Sequence, residues 1–106
     1  MKMLVQFNTN PESPTAGPVT LMARIKDEGG FTSRVNELVF NYRAAGQQFA
    51  QSRKGVPIGK FGTQGEGFYT ADAELPFPGD WQVEIEVNHG GSIFNASFPF
   101  EVKAQQ

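Results

Sequence analysis

The sequence predicts an all-β, immunoglobulin-like antiparallel sandwich of about seven strands, and three observations predict it. Apolar residues recur with a period of two rather than about 3.6, and Gly- and Pro-rich turns separate the periodic runs. The 106 residues match the length of one such sandwich, roughly 100 residues.

Met3–Asn8 sets Val5 and Phe7 on one face. The following stretch from Asn10 to Pro18 carries Pro11, Pro14 and Pro18. Proline lacks an amide donor and restricts its predecessor, so this stretch reads as an irregular connection. In Pro18–Lys26, Val19, Leu21, Ala23 and Ile25 alternate with Thr20, Met22, Arg24 and Lys26, the pattern of a half-buried strand. Asn36–Arg43 is apolar on both faces, with Leu38, Phe40 and Tyr42 on one and Val39 on the other, which predicts a central position in its sheet. Gln47–Ser52 and Val56–Phe61 are poor in apolar residues and flanked by glycine, and read as irregular edge strands. Ala44–Lys54 is the one segment where a short helix competes.

The last three strands are the most regular. Tyr69, Ala71, Ala73 and Leu75 share one phase, as do Trp81, Val83, Ile85 and Val87, and then Phe94, Ala96, Phe98, Phe100 and Val102. The turns between them are Pro76–Asp80 and the compact Asn88–Gly91, the latter a tight-hairpin pattern. Pro99 marks an edge position or a bulge. This phasing assigns Phe7, Phe40, Tyr42, Tyr69, Trp81, Phe94, Phe98 and Phe100 to the core.

Residues 1–106 are expected to form a single domain. With 39% hydrophobic, 12% aromatic and 19% charged residues, the chain has the composition of a folded protein rather than a disordered one. No run approaches the roughly 18 apolar residues of a membrane span, and the opening MKMLVQFNTN turns polar too early for a signal peptide. The formal charge of −2 gives no electrostatic reason to expect nucleic acid as a partner. Charge is unevenly spread, however. Arg34, Arg43, Arg53, Lys54 and Lys60 lie between residues 31 and 65, whereas residues 66–102 hold seven carboxylates and no Lys or Arg. A dipolar domain results if these segments occupy different faces. The absence of cysteine removes disulfides, thiolate ligands and cysteine nucleophiles together.

Asn10–Pro18 leading into Val19–Ile25, then Asp27-Glu28-Gly29-Gly30, then Gly65–Pro76 and Pro78-Gly79-Asp80-Trp81 through Val87, resembles the YtkA-like domain family. The G-x-Y…L-P-x-P-G-x-W order is similar to that of FixH-like proteins and of domains appended to copper-resistance membrane proteins. The resemblance covers nearly the whole chain. It implies an Ig-like domain exported to the bacterial cell envelope, often tethered to a membrane, with its native signal or anchor outside this sequence. Copper-associated relatives carry a Met-rich stretch where this chain reads Gly55–Gly62, with Val56, Ile58, Lys60 and Phe61. Cu(I) selects thioether, thiolate or imidazole ligands, so the copper site is not carried over and no cofactor is expected.

Three functional readings stand beside one another. The first is a noncatalytic accessory module that contacts a protein partner or a tethered membrane domain, with recognition in the segment from Arg43 to Gly62 and the basic residues Arg43, Arg53, Lys54 and Lys60. The second is metal binding through His89, Met3 and Met22. The third is carbohydrate binding through exposed aromatics such as Phe61, Phe68 and Phe77. Glu84, Glu86, Glu74 and Asp72 read as a solvated face rather than a cation site, and Tyr69 and Trp81 as core rather than ligand stackers. Nucleophilic catalysis would have to use His89 in a Gly-flanked turn, a poor place to hold a base, so no enzyme is expected. Gly59–Gly67 lacks the Gly-Lys-Ser/Thr ending and the following helix of a phosphate-binding loop.

Overall fold

The computed structural model describes residues 3–27, 35–46, 48–58 and 67–104. Eight strands form: β1 (Met3–Asn10), β2 (Gly17–Asp27), β3 (Glu37–Ala44), β4 (Ala50–Lys54), β5 (Val56–Pro57), β6 (Phe68–Leu75), β7 (Gly79–His89) and β8 (Ser92–Val102). They pair antiparallel in two four-stranded sheets, ordered β1-β2-β6-β5 and β4-β3-β7-β8. The predicted all-β sandwich is therefore the observed architecture. The sheet orders correspond to an immunoglobulin-type sandwich in which β4 is added beside the CFG-like sheet.

The period-two reading places the core correctly. Val19, Leu21, Ala23 and Ile25 of β2 and Tyr69, Ala71, Ala73 and Leu75 of β6 face Leu38, Phe40, Tyr42 and Ala44 of β3 and Trp81, Val83, Ile85 and Val87 of β7, and all are buried. β3 lies between β4 and β7, the central position its two-sided apolar pattern predicts. Ala50–Lys54 is extended rather than helical, because its backbone completes the ladder along Val39–Arg43 of β3. Of the predicted strand over 56–61, Val56–Pro57 is strand and Ile58 is not; Gly59, Lys60 and Phe61 lie outside the described residues.

Four predicted core aromatics sit differently. Phe7, Phe94, Phe98 and Phe100 point inward but are only partly buried. The cause is position: β1 and β8 are the outermost strands on one side of the sandwich, so one flank of each inward side chain is left open. The pair still meet across the gap, with Phe7 stacked 5.8 Å from Phe98 and tilted 5.5 Å from Phe100.

Both sheets are tied together at the strand ends. The Pro14–Ala16 segment leaves β1 and runs parallel to the end of β8: Lys103 N–H donates to Pro14 O and Ala16 N–H to Lys103 O, each at 2.9 Å. At the other end, Val35 N–H donates to the Tyr69 hydroxyl at 3.0 Å. The β7–β8 hairpin turns through Gly90 and Gly91, whose φ values of 59° and 86° are those required at the two central positions of a type I′ turn.

Two core positions generate tests. Gly55 is buried, and its N–H donates to Leu38 O at 2.7 Å. A β-carbon there would lie 2.8 Å from Leu38 Cδ2 and 3.2 Å from Phe40 Cε2. Gly55→Ala is therefore expected to lower stability by about 1–3 kcal/mol through overpacking, measured by urea denaturation; an unchanged midpoint would contradict this close approach. The Tyr42 hydroxyl is buried and has no hydrogen-bond partner of normal geometry among the described residues, although the Glu74 backbone lies near it. Burial pushes its pKa above the ordinary 10, opposed by the Arg53 charge and the Glu74 backbone and reinforced by the Glu74 carboxylate. Below pH ~10 the phenol is neutral in both states and its stability contribution is complete; above it the unfolded chain ionises first, and stability falls until the folded-state pKa is reached. Tyr42→Phe is expected to change stability at neutral pH by less than about 1 kcal/mol, towards greater stability. The variant should also lose less stability than the parent above pH ~10, and parallel pH profiles for the two proteins would refute the assignment.

Candidate functional site

The outward face of the β4-β3-β7-β8 sheet gathers the side chains best suited to hydrogen-bonded recognition. The register sets them in rows, since directly opposed residues on antiparallel strands share a face about 5 Å apart. One row is Ser52, Asn41, Glu84 and Ser97; the next is Ala50, Arg43, Gln82 and Pro99. Arg43 Nη2 donates to Gln82 Oε1 at 2.8 Å, and Ser52 Oγ donates to Asn41 Oδ1. All of these except Pro99 line a shallow hollow of about 380 Å³. Donors and acceptors alternate across it: guanidinium, amide, hydroxyl and one carboxylate.

The sequence-predicted basic residues do not converge. Arg43 and Lys54 share this outward face, but Lys54 stands opposite Val39, four residues along β3 from Arg43, or about 13 Å at strand rise. Arg53 is opposed to Phe40 and so takes the other phase of the pleat, where its charge reaches Tyr42. Lys60 lies outside the described residues. Lys54 Nζ is 3.8 Å from Glu37 Oε2, with the side chains 71% and 50% exposed; such a solvated pair contributes little. Arg43 and Lys54 also share the face with Glu84 and Glu86, so on this sheet the two halves of the sequence interleave their charges instead of separating them.

The metal-capable residues are similarly dispersed. His89 ends β7, whereas Met22 projects from the outward face of the other sheet, opposite Asn8 and Thr70. Met3 opens β1, paired with Asp27. Among the described residues no group of three or more His, Cys, Asp or Glu side chains is disposed to hold a metal ion. Asp72 and Glu74 lie on the outward phase of β6 while Glu84 and Glu86 lie on that of β7, so the four carboxylates are split between opposite faces.

The aromatic candidates divide in the same way. Tyr69 and Trp81 are core residues, as expected. Phe68 lies beneath the Arg24 guanidinium, 4.7 Å from its ring centre, beside Gln6, Asn8 and Met22. Phe77, 38% exposed, stands beyond the opposite end of β6 and stacks at 6.4 Å on Trp81, whose Nε1–H donates to Phe77 O at 3.0 Å. Phe61 lies outside the described residues. No common aromatic surface is formed by Phe68 and Phe77.

Sequence reasoning singled out Arg43 but missed Asn41, Ser52, Gln82 and Ser97. Their signal was present as outward phase: Asn41 and Arg43 alternate with core residues on β3, as Gln82 and Glu84 do on β7. What placed them side by side was inter-strand register, which the phase of a single strand does not contain.

No protein-family model matches the sequence, and no curated protein matches it significantly. Among solved structures it is similar to a DUF4426 family protein from Pseudomonas aeruginosa PAO1, with a TM-score of 0.62 and 12% identity over 98% of this chain and 93% of that one. It is also similar to an engineered protein, with a TM-score of 0.62 and 14% identity over 99% of this chain. This chain spans only 20% of the engineered protein's length. At these identities the likeness is one of fold, and the DUF4426 family is itself a domain of unknown function.

Proposed function

We propose that this chain is a noncatalytic interaction module of a bacterial cell envelope, an extracytoplasmic accessory domain of the YtkA-like kind. It engages a protein partner, or a tethered neighbouring domain, through the outward face of the β4-β3-β7-β8 sheet. The observation that carries this reading is the in-register array of Asn41, Arg43, Ser52, Gln82, Glu84 and Ser97 around the hollow. A solvent-facing array of alternating donors and acceptors on rigid strands suits reversible recognition, because the backbone is already ordered before binding. Arg43 anchors it: the planar guanidinium, steadied by Gln82, keeps further N–H groups free for a carboxylate or carbonyl. Motif order supports the YtkA-like kinship and, with it, the envelope location.

This reading leaves metal binding as the rival to be tested. Calorimetric titration with Cu(I), Cu(II) and Zn(II) is expected to give no stoichiometric binding at micromolar concentration; tight binding abolished by His89→Ala would replace the interaction reading with a metal-handling one. For the interface itself, Arg43→Glu should leave the thermal midpoint within about 2 °C of the parent, as for an exposed substitution. The same variant should abolish crosslinking of envelope proteins to a photoreactive residue at position 52. Crosslinks that persist unchanged in Arg43→Glu would remove this face from the proposal.

A further inference from the structure

The outer edge of β8 carries a second surface. Lys103 directs both its N–H and its C=O away from β7, to Pro14 and Ala16. Backbone polar groups alternate in direction along a strand, so Ile93, Asn95, Ser97, Pro99 and Glu101 direct theirs to the same side. The hairpin gives the same answer from the other end. A two-residue turn makes His89 and Ser92 a hydrogen-bonded pair, and counting from there also leaves the odd-numbered residues facing outward.

That edge is used unequally. Beyond Val102 it is occupied by the chain's own Pro14–Ala16 segment, running parallel to it. At Pro99 it has no N–H to give, and Glu101 adds an exposed charge; both features oppose edge pairing. From Ile93 to Ser97 neither device is present. The outward N–H and C=O groups of Ile93, Asn95 and Ser97 have no protein partner among the described residues, and the Ile93 side chain is 59% exposed. Beside this stretch the sandwich is open: the inward side chains Val5, Phe7, Phe94 and Phe98 are only partly buried.

We propose that the Ile93–Ser97 edge of β8 accepts an extended peptide strand from a protein partner, one that alternates apolar and basic residues. The Pro14–Ala16 bridge at Lys103 shows that this edge takes added backbone at its terminus, and the proposed peptide occupies the separate stretch from Ile93 to Ser97, short of Pro99. Its apolar residues cover the open flanks of Val5, Phe7, Phe94 and Phe98. The intervening residues then fall on the outward face beside Asn95 and Ser97, whose β7 partners are Glu86 and Glu84; basic side chains complement that pair. Main-chain bonds supply affinity, and the alternation supplies specificity. Ser97 and Glu84 also line the Arg43 hollow, but the edge binds through main-chain groups of β8, and its tests read those groups rather than Arg43.

The test uses the whole chain and a fluorescein-labelled peptide of about ten alternating Val and Lys residues, roughly the length of one long strand. Anisotropy should report binding with a Kd on the order of 10 µM. Hydrogen exchange should show new protection at the Ile93, Asn95 and Ser97 amides. Methylating one alternate set of peptide amides should abolish binding and methylating the other should not, since only one set faces β8. Asn95→Pro removes an outward N–H without touching the β7 ladder, as Pro99 already does, and should weaken binding at least about tenfold. If Asn95→Pro fails to fold, the two methylated peptides decide the matter. No saturation up to ~1 mM peptide, equal binding of both methylated peptides, or full binding by a folded Asn95→Pro variant would overturn the proposal. Concentration-dependent self-association with the same amides protected in the absence of peptide would overturn it too, in favour of a second copy at this edge.

Discussion

Everything in this sandwich depends on the face-to-face burial of two central strand pairs, β2 with β6 and β3 with β7. Each contributes an inward apolar row, Val19–Ile25, Tyr69–Leu75, Leu38–Ala44 and Trp81–Val87 on alternate residues, and all of these are buried. Apolar surface removed from water contributes about 25 cal/mol per Å², and only the central pairs remove nearly all of theirs. The outer strands inherit their positions from this pairing. β1 attaches to β2, β4 to β3 and β8 to β7 by ladder hydrogen bonds, and most of their inward side chains are less fully covered. Burial therefore falls from the middle of the molecule to its flanks, and exposed backbone and half-covered phenylalanines concentrate where the gradient ends.

Polar groups close the two ends that apolar packing cannot. At one end the Tyr69 hydroxyl on β6 accepts the Val35 amide, and Asn36 spans to the β7–β8 hairpin by donating its N–H to Asn88 O and accepting the Gly90 N–H at Oδ1. At the other, Trp81 holds the Pro76–Pro78 turn through Phe77 O, and Phe49 and Phe77 complete an edge-to-face aromatic cluster over it. Tyr42 is the exception: its ring belongs to that cluster, 6.3 Å from Trp81, while its hydroxyl is buried with no partner among the described residues. An unpaired buried hydroxyl opposes folding, and here the packing of a large ring outweighs it.

What the sequence made legible follows the same gradient. Where burial dominates, phase alone identifies strand and face: Leu38, Phe40 and Tyr42, or Trp81, Val83, Ile85 and Val87, read directly as core. Where burial is partial, the same phase misleads. Phe94 and Phe98 alternate as cleanly as Val83 and Ile85, yet nothing in alternation tells a central strand from an outer one. Pro99 does carry that information, because a missing donor is tolerated on the solvent side of an edge strand. The candidate site was the least legible part. Arg43 stood out by charge, but the hollow it shares with Gln82, Asn41 and Ser52 exists only once three strands are aligned. The cations near it in sequence, Arg53 and Lys54, were separated by the pleat and by distance along the strand.

The proline-rich linker connects these two lessons. Pro11, Pro14 and Pro18 prevent a simple hairpin between β1 and β2, and the chain instead crosses to the opposite sheet, where Pro14–Ala16 pairs with Lys103. That crossing joins the outer strands β1 and β8 at one end of the seam between them. It covers the edge of β8 only at its terminus, however, because Pro14 and Pro18 bracket a segment too short to form a longer ladder. Prolines that read as irregular connection therefore determine how much of the β8 edge is filled from within the chain. From Ile93 to Ser97 the outward N–H and C=O groups of Ile93, Asn95 and Ser97 have no protein partner among the described residues, and they lie beside partly exposed apolar side chains.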